Sequence, residues 1–179
     1  MPFENTPEKF GSLTKFLHWN IALLFVVQFF LIYRREYFPN DTNEKLQYLL
    51  LHKSLGVCVL VLAFSMLLWR RVGTRPLMPS SMTQRELLAA KWTHILLYAV
   101  MLIMPLSGIL MSIFAGYTVS FFGLFELPLL FPKNETIGTV FYRTHVISSY
   151  CIFAVVGIHT FAALYHHYVR KDNVLQRML

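Results

Sequence analysis

Charge is scarce in this 179-residue chain: 14% of residues are charged against 56% apolar. A soluble domain carries about 25% charged residues, so this chain has too little charge to wet a surface of its own. Disorder, a collagen-like rod and most water-soluble single domains are excluded, and a mean hydropathy of +0.52 agrees. Cysteine is nearly absent as well. Cys58 and Cys151 both lie in apolar runs, with no Cys-x-x-Cys for zinc or an iron–sulfur cluster and no spacing for a disulfide scaffold. Gly-x-Gly-x-x-Gly, the dinucleotide fingerprint, is missing too.

What the chain has instead is apolar sequence in four runs, each bounded by charge. They lie at about Leu17 to Tyr33, Tyr48 to Trp69, Trp92 to Phe114 and Val140 to Tyr168. Each is about long enough to cross ~30 Å of hydrocarbon as a helix. Lipid-exposed backbone must satisfy its own hydrogen bonds, so helices are the expected form. The predicted fold is all-α, a transmembrane four-helix bundle, with residues 1–179 forming a single integral-membrane domain. Pro105 predicts a kink in the third helix. The second connection, roughly Val72 to Lys91, is polar and reads as a water-facing loop. The third, roughly Ala115 to Gly138, is apolar and broken by Gly and Pro, which suits an interfacial loop or short helix.

Basic residues exceed acidic ones by sixteen to nine. In so apolar a chain this excess reads as membrane topology, not as a nucleic-acid surface. The two tails and the second connection hold ten basic and four acidic residues, and the other side holds six and five. The bias predicts a multi-pass protein of the bacterial cytoplasmic membrane with both termini cytoplasmic.

Seven histidines carry the functional signal. An ionisable side chain inside a membrane helix is expensive and marks function by default. In an in–out–in–out bundle, His18 shares a depth with His159, and His52 shares one with His145. His145 and His159 are fourteen residues apart, roughly 21 Å along one helix and about 40° short of four full turns. They therefore lie on one broad face. One helix presenting two stacked imidazoles, each answered from another helix, is what two axially ligated haems require. Zinc or copper would want more protein ligands than two per level, and no carboxylate lies at membrane depth. Without Cys-x-x-Cys-His the haems should be b-type. His18, His52, His145 and His159 are thus the expected iron ligands and cofactor-binding residues.

Other residues allow two readings. Gly56 and Gly157 could admit a flat macrocycle or serve helix–helix contact. Arg70, Arg71 and Arg170, and on the other side Lys53 and Arg143, stand where haem propionates would pair, and equally where topology alone puts basic residues. His94 reads as an interfacial histidine. His166 and His167 close the fourth run, where either could stand in for His159 or meet headgroups.

With these residues in view, the chain resembles the bacterial cytochrome b561 family of small four-helix membrane cytochromes. The likeness rests on His18-Trp19, on His52 in LLHKSLG, on KWTHILLYAVMLIMPLSGILM, and most specifically on THVISSYCIFAVVGIHTFAALYHHYVRKDNVLQRML. The resemblance implies two haems b, ligated by His18 with His159 and by His52 with His145, and electron exchange with quinone. Within the family the chain looks like the superoxide oxidases that reduce ubiquinone. The alternative is a haem b electron-transfer subunit serving a separate dehydrogenase, a redox partner protein, and the quinone pool. A non-catalytic membrane protein whose histidines line a cavity is the third reading. Which of these holds depends on the site.

Overall fold

In the computed structural model, described for residues 2–79 and 82–179, four long helices follow one another. They are α1 (Ser12–Arg35), α2 (Asn43–Val72), α3 (Gln84–Phe114) and α4 (Glu135–Tyr165). All four are long and apolar enough to cross a membrane. Each apolar run falls within one helix, with the fourth continuing through a π-helical turn at His166–Arg170.

Local chemistry sets the ends. Thr42 caps α2 by accepting from the Lys45 N–H at 3.3 Å, and Asn134 caps α4 through the Ile137 N–H at 3.1 Å. At α3, Thr83 and Glu86 form a reciprocal capping box, a motif whose cap alone is worth about 1 kcal/mol. Arginine pairs close α1 (Arg34, Arg35) and α2 (Arg70, Arg71), where positive charge meets the negative end of the helix dipole. Helix α1 begins differently. Gly11 takes Asn5 Oδ1 on its N–H at 2.8 Å while the chain folds back so tightly that a Cβ on Gly11 would lie 2.4 Å from Glu4 backbone. Only glycine fits there.

The helices pack in chain order, α1 on α2, α2 on α3 and α3 on α4. Small polar residues line the inside: Ser54, Ser107, Ser112 and Ser148 are all buried. Small side chains let helices approach where lipid offers no hydrophobic drive. Leu23, Val26 and Phe30 on α1, Val61 and Phe64 on α2, and Phe153 and Phe161 on α4 are exposed. This apolar belt is the surface a bilayer would cover.

The third connection differs from the expected loop or short helix. It forms a β-hairpin of β1 (Val119–Phe121) and β2 (Phe125–Leu127), paired Phe121 to Phe125. Phe122 and Gly123, both at positive φ, make the turn. Pairing satisfies backbone groups that an irregular apolar loop would leave bare. The hairpin is clasped to α2 through Ser54, whose hydroxyl takes the Phe122 N–H at 2.8 Å and lies 3.2 Å from the Ser120 carbonyl. Val119 is fully buried beneath it.

At the opposite end the last residues run back across the first. Arg177 donates to the carbonyls of Glu8 at 2.9 Å and Leu77 at 2.6 Å. Trp19 Nε1 donates to the Met178 carbonyl at 2.8 Å, and Lys15 Nζ to that of Leu179 at 2.7 Å. The molecule therefore has a hairpin end and a termini end, each closed by its own device.

Candidate functional site

The histidine rings meet in twos between helices. At the termini end, His18 of α1 faces His159 of α4, with ring centroids 6.2 Å apart and planes at 58°. Toward the hairpin end, His52 of α2 faces His145 of α4, again at 6.2 Å, with planes at 90°. Both pairs take one member from α4, as the fourteen-residue spacing predicts. Phe29 and Phe153 add a ring contact between α1 and α4, at 5.6 Å.

The separation is informative. An imidazole nitrogen bonds a first-row metal at about 2.0–2.1 Å, and a ring centre lies about 1.1 Å behind that nitrogen. Two rings in trans on one such ion thus stand about 6.3 Å apart centre to centre. Both separations match that length.

Nitrogen chemistry agrees. His145 Nδ1 lies 2.8 Å from the Met104 carbonyl. A carbonyl only accepts, so Nδ1 carries the proton and Nε2 offers its lone pair. Pro105 has no N–H for the carbonyl of Met101, and this loosened stretch of α3 is where Met104 gives its carbonyl to His145 and to the Ser107 hydroxyl at 2.8 Å. Gly108 makes the approach possible: a Cβ there would lie 3.0 Å from His145 Nδ1 and Cε1. In His18 and His52 it is again Nδ1 that is buried, and it has no partner among the described residues.

His94 is the residue the sequence reading undervalued. Its ring sits 5.3 Å from that of His159, edge-on at 78°. Its Nδ1–H donates to the Ala90 carbonyl at 2.6 Å, leaving Nε2 free to accept. At 5.3 Å the two rings stand about 1 Å closer than imidazoles on opposite sides of one ion would, so His94 is a neighbour of a trans pair and not its second member. Among the described residues no three His, Cys, Asp or Glu side chains converge to hold a bare metal ion.

The remaining candidates are placed as follows. His166 is buried and its Nδ1 lies 2.6 Å from Asp172 Oδ2. Burial opposes ionisation of Asp172, but the bonds from His166 and the Val174 N–H outweigh it and hold the carboxyl below its ordinary range. His167 packs on Tyr168 at 4.8 Å. Arg170 pairs with Glu86 at 3.5 Å, and Arg70 lies over the Tyr98 ring at 4.8 Å. At the hairpin end, Arg35 and Lys53 both lie within electrostatic reach of His52. A Cβ on Gly157 would meet nothing within 4 Å, while one on Gly56 would lie 3.4 Å from Gln28 Nε2. Gly157 thus borders open space, and Gly56 makes room for an amide.

Known proteins place this arrangement. The model for prokaryotic cytochrome b561 matches residues 9–179. "Cytochrome b561 homolog 1" of Escherichia coli (strain K12) is 32% identical over 96% of this chain and 97% of its own length. "Cytochrome b561 homolog 2" of the same organism is 29% identical over 100% of this chain and 95% of its own length. "Probable superoxide oxidase CybB" of Yersinia pestis is 29% identical, over 96% of both chains. The chain belongs to the prokaryotic cytochrome b561 family and is a multi-pass bacterial membrane protein of b-type haem binding and electron transfer.

Proposed function

We propose that the chain holds two haems b, one between His18 and His159 and one between His52 and His145, and that it oxidises superoxide and reduces ubiquinone. The observation that carries this reading is the equal 6.2 Å separation of two imidazole pairs that share α4. Bound there, each haem supplies a one-electron iron couple in an apolar interior. The protein's part is to orient four imidazoles, to exclude water, and to keep both levels in line across the bundle.

The positive-inside bias puts the termini end in the cytoplasm and the hairpin end outside. Superoxide is an anion, and the hairpin side as a whole has little net charge. Local attraction would come from Lys53 and from Arg35, both within electrostatic reach of His52, although Glu36 pairs with Arg35 at 3.2 Å and offsets part of its charge. Positive charge beside a low-dielectric interior attracts an anion far more than the same charge in water. In the balanced reaction two superoxide anions give up one electron each and leave as dioxygen. One ubiquinone takes both electrons and two protons to become ubiquinol. The name of the Yersinia pestis relative supports the donor, and the lack of any dinucleotide or cluster motif means that electrons must come from another molecule.

The test is direct. Purified protein should show a Soret band and two haems per chain by pyridine haemochrome. Mixed with a superoxide generator and ubiquinone, it should reduce its haems and form ubiquinol in stoichiometry with superoxide lost. A protein that carries haem but is neither reduced by superoxide nor forms quinol would overturn the superoxide assignment. One haem or none per chain would overturn the pairing.

A further inference from the structure

Gln28 is one of two amides in the first apolar run, with Asn20, and it lies at the α1–α2 interface only 8% exposed. Its Nε2 donates to the backbone carbonyl of His52 at 3.0 Å. Its Oε1 is fully buried and has no partner. Leaving a buried polar atom unpaired is costly, so a residue placed this way needs a reason.

The reason lies on the residue it already touches. His52 Nδ1 is also buried and unpartnered. With Nε2 presented to His145, a neutral His52 carries its proton on Nδ1, which makes that atom a donor lacking an acceptor. Gln28 Oε1 is an acceptor lacking a donor. Arg35 and Lys53, the cations near His52, are donors only and cannot serve. Among the described residues the buried, unpartnered side-chain polar atoms are three nitrogens and one oxygen, and the oxygen is Gln28 Oε1. The third nitrogen, Arg35 Nε, is seven residues further along the same helix, about 10 Å away along its axis. Gly56, one turn after His52, leaves the space the amide occupies.

We propose that Gln28 is the positioning residue of the hairpin-end pair. Its carbonyl accepts the His52 Nδ1–H through one buried water, because the two atoms do not bond directly as they stand, while its amide N–H holds the His52 backbone. This fixes the ring's tautomer and rotation and makes the imidazole a richer electron donor toward iron, which favours the oxidised state. The inference rests on the haem reading above. It differs from that reading in naming what sets the potential of one site and not the other.

The experiment is an optical redox titration of purified holoprotein, comparing wild type with Gln28→Leu and Gln28→Glu. Repeating each titration in a His159→Ala background isolates the hairpin-end haem. Gln28→Leu should make reduction of that haem easier by about tenfold, ~59 mV for one electron, with the other haem unchanged. Gln28→Glu, which as a neutral acid keeps an accepting oxygen at the same reach, should stay near wild type. Potentials that are unchanged in Gln28→Leu, or that move together at both sites, overturn the proposal. If Gln28→Leu fails to fold, Gln28→Met, which keeps the length but removes the amide, decides: a shift confined to the hairpin-end haem supports the proposal and no shift overturns it. A wild-type protein without haem would instead refute the reading on which this one stands.

Discussion

The two imidazole pairs have the same span and quite different surroundings. At the hairpin end, His145 is fixed by the Met104 carbonyl and seated on Gly108, and His52 is held through its backbone by Gln28. At the termini end, His159 has a third imidazole, His94, against its ring, and His18 has the edge of Trp19 at 5.1 Å. One level is gripped by backbone carbonyls and an amide, the other by neighbouring rings beneath a strap of terminal residues. If each pair holds a haem as proposed, unequal neighbours would let two chemically identical groups differ in potential. A graded pair of potentials is what directional transfer across the bundle requires.

The sharpest way to break the comparison is to remove one ligand from each level. His145→Ala and His159→Ala should each halve the haem per chain, measured by pyridine haemochrome, and the lost spectral component should differ between them. Equal loss of both components from either variant would mean that the levels are not independent.

Next in size is Gly108→Ala. The added methyl lies 3.0 Å from the His145 ring, and overpacking of this kind costs about 1–3 kcal/mol. Haem at the hairpin end should be retained less tightly and with an altered spectrum, while the termini end keeps its wild-type signals. A change confined to the termini end would invert the assignment of the two levels.

His94→Leu should leave both haems bound, because 5.3 Å is too short for His94 to be the trans partner of His159. Only the termini-end potential should move, by about tenfold in the equilibrium or less, as read by redox titration. Loss of that haem would make His94 a member of the pair.

The smallest effect concerns the strap. Because the Asp172 carboxyl is held below its ordinary value, its stabilising bond to His166 is fully present above the ordinary carboxylate range. It is lost as pH falls through the lowered value. Thermal midpoints measured from pH 7 to 3 should show wild type converging on Asp172→Asn at the acid end. At neutral pH they should differ by about 1 kcal/mol.

Much of this was legible in the sequence. Four apolar runs gave four helices, and His145 with His159, fourteen residues apart, placed both pairs correctly, because helical rise and rotation are nearly invariant. The nearness of His94 to His159 was not legible, because the azimuth of α3 against α4 depends on packing, around Gly108 for one, which periodicity does not encode. The hairpin at Val119–Leu127 was not legible because its strands, VSF and FEL, are three residues each, too short for their apolar–polar alternation to mark a strand. The grip on His145 comes from a main-chain carbonyl, and no residue type announces that. Gln28, one of two amides in its apolar run, is the kind of intramembrane polar residue that invites a functional question, but only packing shows that it meets His52.

Because α4 supplies a ring to each pair, the two haem cradles proposed above would both stay open until that helix inserts. A chain stopped at Phe131 would enter the bilayer with His18 and His52 lacking both opposing rings. Colour would then mark only molecules in which α4 has joined the other three helices.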